Sequence, residues 1–180
     1  MPAHVPLRPA ALLLAALLSL SAQATLKPGE SAPLLHTEAA VAGKAFAFDM
    51  AAALKKGPVV LYFFPKAFTQ GCTLEAHAFA EATPRFAAMG ATVVGMSHDD
   101  IATLKHFSTE ACRDQFAVAS DPGAATIKAY DAAAAANPER ADRISYVIGQ
   151  DGKIKFVHVG SDPLEHVERT QAAVKQLTGK

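Results

Sequence analysis

The sequence has no net charge, because its 17 lysines and arginines are balanced by 17 aspartates and glutamates. A protein that binds nucleic acid through the phosphates needs a basic surface, and an anionic membrane surface attracts clusters of lysine and arginine. A chain with balanced charge has no excess of positive charge to attract either of them. We therefore expect no nucleic-acid partner and no binding to membranes.

Cysteine is scarce as well, with two residues in 180, Cys72 and Cys112. They do not form a Cys-x-x-Cys pair, which disfavours disulfide exchange of the thioredoxin type. The histidines lack the His-x-x-x-His spacing that places two metal ligands on one helical face. No glycine-rich phosphate loop, haem motif or Ser-His-Asp arrangement stands out either. We therefore expect no metal and no bound cofactor.

No apolar run reaches the ~20 residues that span a bilayer. The longest block, residues 10–20, follows a single positive charge at Arg8 and precedes Ala22-Gln23-Ala24, a small-x-small pattern typical of cleavage sites. We expect residues 1–24 to be a cleavable signal peptide rather than a membrane anchor. The mature chain, residues 25–180, would then be one periplasmic or otherwise secreted domain.

Strand-like and helix-like runs alternate after this leader, a pattern typical of an α/β domain with a central mixed sheet. The clearest strand is residues 58–64, a β-branched and aromatic run between Gly57 and Pro65. Further strands are predicted at residues 91–97 and 116–120. The strongest hairpin signal, Gln150-Asp151-Gly152, joins two more strand-like runs.

Proline and aspartate residues indicate where helices break or begin. Pro84 lies within a helical stretch that it should break or kink. Asp99 or Asp100 can cap a helix whose face is expected to include Cys112.

Three more expectations concern the second half of the chain. Asp121-Pro122 predicts a helix start, since proline suits the first helical position. The alanine-rich residues 131–137 are expected to be a frayed helix end followed by a loop. Leu164 is expected on the buried face of the C-terminal helix.

The stretch most typical of an active site is residues 62–75, Tyr-Phe-Phe-Pro-Lys-Ala-Phe-Thr-Gln-Gly-Cys-Thr-Leu-Glu. The strand ends at Pro65 and helical spacing begins after Gly71, which places Cys72 in the first turn of a helix. Unpaired N–H groups and the helix dipole favour the thiolate form there. Most free cysteines are small buried hydrophobes, but this position suits chemistry better than core filling.

Pro65, Thr69 and Cys72 match the Pro-x-x-x-Thr-x-x-Cys signature of peroxiredoxins, and the chain resembles the peroxiredoxin Q, or bacterioferritin-comigratory, branch of that family. Segments similar to those of the family also occur at residues 94–97, 119–122 and 143–148. The resemblance implies a thioredoxin-like fold and thiol-dependent reduction of hydrogen peroxide or small organic hydroperoxides.

The resemblance also implies roles for individual residues. Cys72 would attack the peroxide and become a sulfenic acid, while Arg143 would stabilise the thiolate and the peroxide oxygens. Thr69 would hold the peroxide or the thiolate through its hydroxyl, and Pro65 would shield the sulfur. From its spacing alone Arg143 would be taken as a solvated surface arginine, and Glu75 receives no defined role.

Cys112 has two interpretations. A structural disulfide with Cys72 would close a loop of about 40 residues and contribute about 4 kcal/mol in the chain-entropy treatment. Alternatively, Cys112 condenses with the Cys72 sulfenic acid, which the resemblance favours. The commonest peroxiredoxin Q pattern has its second cysteine five residues after the first, where this chain has His77. Joining the two cysteines is expected to require local unfolding.

The resemblance further implies a thioredoxin-like or other thiol reductant that regenerates Cys72, and we expect a monomer. Phe64 or Phe68 lining the site would favour organic hydroperoxides. The alternative function is a non-enzymatic thioredoxin-like module, in which a structural disulfide stabilises a fold that binds a partner or senses redox state.

Overall fold

The computed structural model describes residues 25–180, so the predicted signal peptide lies outside the described residues. The strands are β1 (His36–Val41), β2 (Lys44–Asp49), β3 (Val59–Phe63), β4 (Thr92–Ser97), β5 (Ala117–Ser120), β6 (Ala133–Ala134), β7 (Asn137–Ala141), β8 (Ile144–Ile148) and β9 (Ile154–Val159). The helices are α1 (Met50–Leu54), α2 (Gln70–Ala88), α3 (Ile101–Glu110), α4 (Ala125–Ala129) and α5 (Pro163–Thr178). Within residues 25–180, no helix combines the length and apolar character needed to cross a membrane.

Seven of these strands form one mixed sheet in the order β2-β1-β5-β4-β3-β8-β9. The central strands β3, β4 and β5 are parallel, whereas β1 and β8 run antiparallel to β5 and β3. The predicted α/β domain with a mixed sheet is confirmed. The three predicted strands of the centre and the β8–β9 hairpin are confirmed too, with ends that differ by one or two residues.

The sheet separates two layers of core. Successive side chains of a strand point to opposite faces, so Val60 and Tyr62 of β3 face α2, α3 and α5. Leu61 and Phe63 face α1 and α4 on the other side. All five residues of β3 are buried. Burial of each large apolar side chain contributes about 1.5–3 kcal/mol, and β3 thus stabilises both layers.

Helix α2 continues through Pro84, so the expected break does not occur. A proline inside a helix costs about 3 kcal/mol, because it removes a backbone donor and crowds the preceding turn. Here the helix buries Phe79 and Phe86 against the sheet, and the Thr83 hydroxyl donates to the Phe79 carbonyl. Packing therefore outweighs the local preference for a break.

The alanine-rich residues 131–137 do not form the predicted frayed helix and loop. β6 and β7 instead pair as a small antiparallel sheet, with Ala133 opposite a buried Ala141. Asp131, with a φ of 50°, turns the chain out of the preceding helix. The weak helix preference of a few alanines is overridden by this tertiary pairing.

Helix α4 begins at Ala125 rather than at the predicted Pro122. The Asp121 carboxylate accepts hydrogen bonds from the N–H groups of Ala125 and Ile127, so it caps a helix that starts one turn later. In α5 the prediction for Leu164 is wrong, because this side chain is 45% exposed in the first turn of the helix.

Candidate active site

Cys72 lies where the central strand meets α2. It is the third residue of that helix, and Thr69 is the N-cap residue, which confirms the predicted position in the first turn. The side chain is 2% exposed. The thiol therefore sits in the apolar layer between α2 and the sheet, at the helix end where backbone N–H groups have no partner within the helix.

Arg143 reaches Cys72 from the neighbouring strand. It immediately precedes β8, whose first residue Ile144 is opposite Phe63 at the end of β3. Its Nη2 donates to the Cys72 Sγ at 3.6 Å, and its Nη1 pairs with the carboxylate of Glu75. The sequence-predicted pair of Cys72 and Arg143 is thus brought into contact by strand pairing.

Glu75 lies one helical turn after Cys72 and its side chain is fully buried. Burial raises the pKa of Glu75 to about 8, while the charge and hydrogen bonds of Arg143 act in the opposite direction. An arginine keeps its charge at all physiological pH values, and the Glu75 oxygen that accepts from Nη1 fixes the planar fork whether or not the carboxyl carries a proton. Glu75 therefore orients the guanidinium toward the sulfur.

Gly71 provides the space for this guanidinium. A Cβ atom at position 71 would lie 3.1 Å from Nη2 of Arg143. Such a contact is tight, so a side chain there would press on the group that contacts Cys72. The sequence shows this glycine directly before the cysteine, but its function follows only from the position of Arg143.

The loop between β3 and α2 has an unusual backbone. Phe68 has a φ of 64°, and a left-handed conformation costs a residue with a side chain about 1–2 kcal/mol. Its ring packs edge-on against Phe107 at 5.2 Å. The Thr69 hydroxyl donates to the Lys66 carbonyl at 3.1 Å. Packing and hydrogen bonds thus maintain a strained loop beside Cys72.

A shallow cavity of about 370 Å³ opens beside Arg143. Pro65, Asp142, Arg143 and Gly160 are among its lining residues. Phe64, which was expected to line the site, is fully buried and stacks against Phe107. Phe64 directly follows β3 and points to the same side of the sheet as Val60 and Tyr62, toward α3. It therefore belongs to the core.

Cys112 is not on a helix face as predicted. α3 ends at Glu110, and Cys112 follows in a turn where Arg113 and Asp114 have φ values of 50° and 61°. The Cys112 N–H donates to the Phe107 carbonyl, and the side chain is fully buried. Burial, with a smaller effect from the nearby Asp114 charge, raises the pKa of the Cys112 thiol. The folded protein therefore holds this thiol protonated.

Both thiols are free and buried, Cys72 within the first turn of α2 and Cys112 in the turn after α3. Arg113, next to Cys112, pairs with Glu81 at 3.1 Å. Glu81 is nine residues beyond Cys72, which corresponds to about 13 Å along a helix axis. The Cys112 turn is thus attached to the middle of α2 rather than to its first turn.

Tyr62 lies near both thiols, in the same layer of the core. Its ring stacks on Phe79 at 4.3 Å, and its hydroxyl has no hydrogen-bond partner within residues 25–180. Burial raises the pKa of Tyr62, and the negative charge that Cys112, Glu75 or Cys72 would carry acts in the same direction. The sequence identified Tyr62 only as a strand residue.

His166 supports the strand that follows Arg143. It is fully buried, with Nδ1 2.8 Å from the Ser145 hydroxyl and Nε2 3.0 Å from the Gly160 carbonyl. Burial lowers the pKa of His166 to about 4. In the part of the chain that the structure describes, no group of three or more His, Cys, Asp or Glu side chains is placed to hold a metal ion.

The lowered pKa of His166 predicts acid sensitivity of the fold. The unfolded chain binds a proton near pH 6.5, whereas the folded chain does so near pH 4, so stability falls as the pH decreases through this range. We expect the contribution of His166 to the free energy of unfolding to be about 2 kcal/mol lower at pH 5 than at pH 7.5.

Urea unfolding of the wild type and of His166→Gln at the two pH values tests this expectation. The variant should lose less stability on acidification than the wild type does. His106→Gln, a change at an exposed histidine, is the matched control and should behave like the wild type. Equal acid sensitivity of all three proteins would contradict the expectation.

Comparisons with known proteins identify the family of this chain. The family model described as AhpC/TSA family matches residues 28–157. Peroxiredoxin Q, chloroplastic, from Oryza sativa subsp. japonica is 32% identical over 124 residues, which are 68% of this chain and 57% of the relative. Its counterpart from Arabidopsis thaliana is 31% identical over 117 residues, 64% of this chain and 54% of the relative. The chain therefore spans somewhat more than half the length of these relatives.

Two solved structures share the fold. Peroxidoxin BcpB from Mycobacterium tuberculosis superposes with a TM-score of 0.76 at 24% identity, covering 84% of this chain and 98% of the other. Mycobacterium tuberculosis AhpC gives a TM-score of 0.75 at 19% identity, covering 86% and 94%. The expected thioredoxin-like peroxiredoxin fold is confirmed by these structures. The match over residues 28–157 and the relatives at 31–32% identity place the chain in the AhpC/TSA family, in its branch similar to peroxiredoxin Q.

Proposed function

We propose that the protein is a thiol-dependent peroxidase that reduces hydrogen peroxide and small organic hydroperoxides through Cys72. The observation that carries the proposal is the contact between the Arg143 guanidinium and the Cys72 sulfur at the N-terminus of α2. A permanent positive charge and free backbone N–H groups stabilise a thiolate, which is the reactive form of cysteine.

The first step is attack of the Cys72 thiolate on one oxygen of the peroxide. An S–O bond forms as the O–O bond breaks, the sulfur is oxidised to a sulfenic acid, and the second oxygen leaves with a proton from solvent as water or an alcohol. Arg143 faces the negative charge that develops on the departing oxygen. Glu75 keeps the guanidinium in place during this change.

Thr69 and Pro65 are proposed to shape the peroxide site. Thr69 occupies the N-cap position one turn before Cys72, where its hydroxyl can exchange the Lys66 carbonyl for a peroxide oxygen. Pro65 lines the cavity that also exposes Arg143. Since proline has no N–H group, it covers the sulfur without adding a competing donor.

The second step is condensation of the sulfenic acid with Cys112, which forms a disulfide and releases water. Disulfide geometry requires Cα atoms within about 7 Å of each other. The Cys112 turn lies beside the middle of α2, where Arg113 pairs with Glu81, and Tyr62 packs near both thiols. We therefore propose that residues 111–115 or the first turn of α2 unfold locally before the disulfide forms.

The backbone of the Cys112 turn favours this rearrangement. Two consecutive residues, Arg113 and Asp114, have left-handed backbone conformations, which are uncommon for residues other than glycine. Release of the turn removes this strain and exposes the buried thiol of Cys112. A thiol donor, thioredoxin-like or other, would then reduce the disulfide and regenerate Cys72. We further propose that the protein is exported, in keeping with the leader-like residues 1–24.

The variant Cys112→Ser tests the second step. It should consume one equivalent of peroxide at close to the wild-type rate and then stop as a sulfenic acid, which dimedone traps and excess peroxide over-oxidises. Wild type treated with one equivalent should instead show a Cys72–Cys112 disulfide by peptide mass spectrometry.

Two results would remove Cys112 from the mechanism. One is a persistent sulfenic acid in the wild type after one equivalent of peroxide. The other is full turnover of Cys112→Ser with a reductant specific for disulfides. Either result would leave a peroxidase with a single catalytic cysteine, whereas absence of peroxide consumption by the wild type would reject the peroxidase itself.

A further inference from the structure

Asp99 lies beside the loop that precedes Cys72, at an edge of the sheet defined by strand pairing. β3 and β4 are parallel neighbours, with Phe63 opposite Met96 at their carboxyl ends. The segments that follow the two strands therefore leave the sheet side by side. Asp99 follows β4 by two residues and is buried.

One carboxylate oxygen of Asp99 joins the two segments. Oδ2 accepts a hydrogen bond from the backbone N–H of Ala67 at 2.8 Å and another from the Ser97 hydroxyl at 2.8 Å. The Asp99 carbonyl in turn accepts from the Ser120 hydroxyl at 2.7 Å. Asp99 is thus held in place by the ends of β4 and β5. Its hydrogen bond to the Ala67 N–H in turn fixes the backbone of the loop at that residue.

Ala67 is the point at which the loop needs support. It directly precedes Phe68, whose left-handed backbone is unfavourable without restraint, and it lies between Pro65 and Thr69. The Phe68 ring is held on one side by Phe107. The Asp99 bond restrains the backbone on the other side.

We propose that Asp99 is a positioning residue for peroxide reduction, which rests on the function proposed above. Through Ala67 it sets where Pro65 and Thr69 stand relative to Cys72. Asp99 itself touches neither the sulfur nor the peroxide. A displacement of about 1 Å in a reacting group can lower a rate about 100-fold, so loss of one buried hydrogen bond in this loop has a measurable effect on the reaction.

The chemistry of the site gives this role a distinct signature. Arg143 and the first turn of α2 favour the thiolate form of Cys72, and Asp99 forms hydrogen bonds to neither of them. Reaction with a simple alkylating agent requires only an accessible thiolate. Reaction with peroxide also requires the loop residues in place. Changes at Asp99 should therefore slow the peroxide reaction much more than alkylation.

The test compares Asp99→Asn and Asp99→Ala with a matched control, Asp100→Asn. Asp100 carries the same charge one residue later, but it is exposed and caps α3 by accepting from the Thr103 N–H, a role that asparagine can fill. Each variant also carries Cys112→Ser, so that Cys72 is the only thiol. Stopped-flow measurements give the rate with hydrogen peroxide, and mass spectrometry gives the rate of alkylation by iodoacetamide.

We expect Asp99→Ala to lose about 10- to 100-fold in the peroxide rate and Asp99→Asn a smaller factor of about 3 to 10. Alkylation should change less than about 3-fold in both, and Asp100→Asn should match the parent protein in both reactions. Thermal unfolding of each variant records its stability, and if Asp99→Ala fails to fold, Asp99→Asn decides.

Three outcomes would overturn the assignment. Peroxide rates equal to the parent in the folded Asp99 variants would show that the loop does not depend on this bond. Parallel losses in both rates, following the loss of stability, would make Asp99 a structural residue only. A parent protein that does not react with peroxide would reject the proposed function and this role with it, a result that the first two outcomes do not produce.

Discussion

Replacing Cys72 with serine should abolish peroxide reduction while the fold remains intact. The hydroxyl of serine is a far weaker acid than a thiol and stays protonated, and it cannot form an S–O product. The side chain is 2% exposed and almost the same size in both forms, so packing around it changes little. Peroxide consumption in the presence of any thiol donor measures the effect.

The matched control for this variant is Cys112→Ser, which removes the other buried thiol. It should keep the first peroxide reaction, whereas Cys72→Ser should not react above the background of the buffer. Circular dichroism and thermal unfolding establish that both variants are folded. Turnover by folded Cys72→Ser at the wild-type rate would show that the nucleophile lies elsewhere.

The change Arg143→Lys should lower the second-order rate with peroxide about 100-fold, the scale seen when one donor to a developing negative charge is removed. Lysine keeps the charge but lacks the planar fork. It can pair with the buried Glu75 or approach the Cys72 sulfur, but it cannot hold both as Arg143 does. The rate should therefore fall by a larger factor than stability explains.

Arg140→Lys is the control, since it makes the same chemical change three residues earlier, in β7 and outside the Cys72–Glu75 contact. Stopped-flow kinetics and urea unfolding of the two variants separate reactivity from stability. An unchanged peroxide rate in Arg143→Lys would return this residue to the class of ordinary ion-pairing arginines. Arg113 pairs with Glu81 and makes no contact of this kind.

Much of the fold can be predicted from local sequence features, because some features are compatible with only one kind of structure. β3 is an unbroken apolar run, which only a strand buried on both faces accommodates, and the turn at Asp151-Gly152 determines how β8 and β9 pair. The errors occur where tertiary contacts override weak local preferences. Pro84 is tolerated because α2 is packed along its length, and Ala133–Ala134 pairs with Asn137–Ala141 although alanine favours helices.

Some residues of the candidate site can likewise be predicted from local sequence, whereas others depend on tertiary contacts. The position of Cys72 follows from the end of a strand and the start of a helix, both visible in the sequence. The spacing of Arg143 in the sequence is that of a solvated surface arginine. Only the family resemblance predicted its role beside Cys72. Glu75, Gly71 and Asp99 act through contacts across the sheet edge, between residues 32 to 72 positions apart. Such contacts depend on strand order, which no local pattern specifies.

Reaction of the fully reduced wild-type protein with hydrogen peroxide, followed by stopped-flow, tests the central claim about Cys72 most directly. We predict rapid consumption of one equivalent of peroxide, far faster than by free cysteine at the same concentration and pH, with loss of one reactive thiol at Cys72 in the first phase. A rate no higher than that of free cysteine, or equal to that of Cys72→Ser, would contradict the assignment of this protein as a thiol-dependent peroxidase.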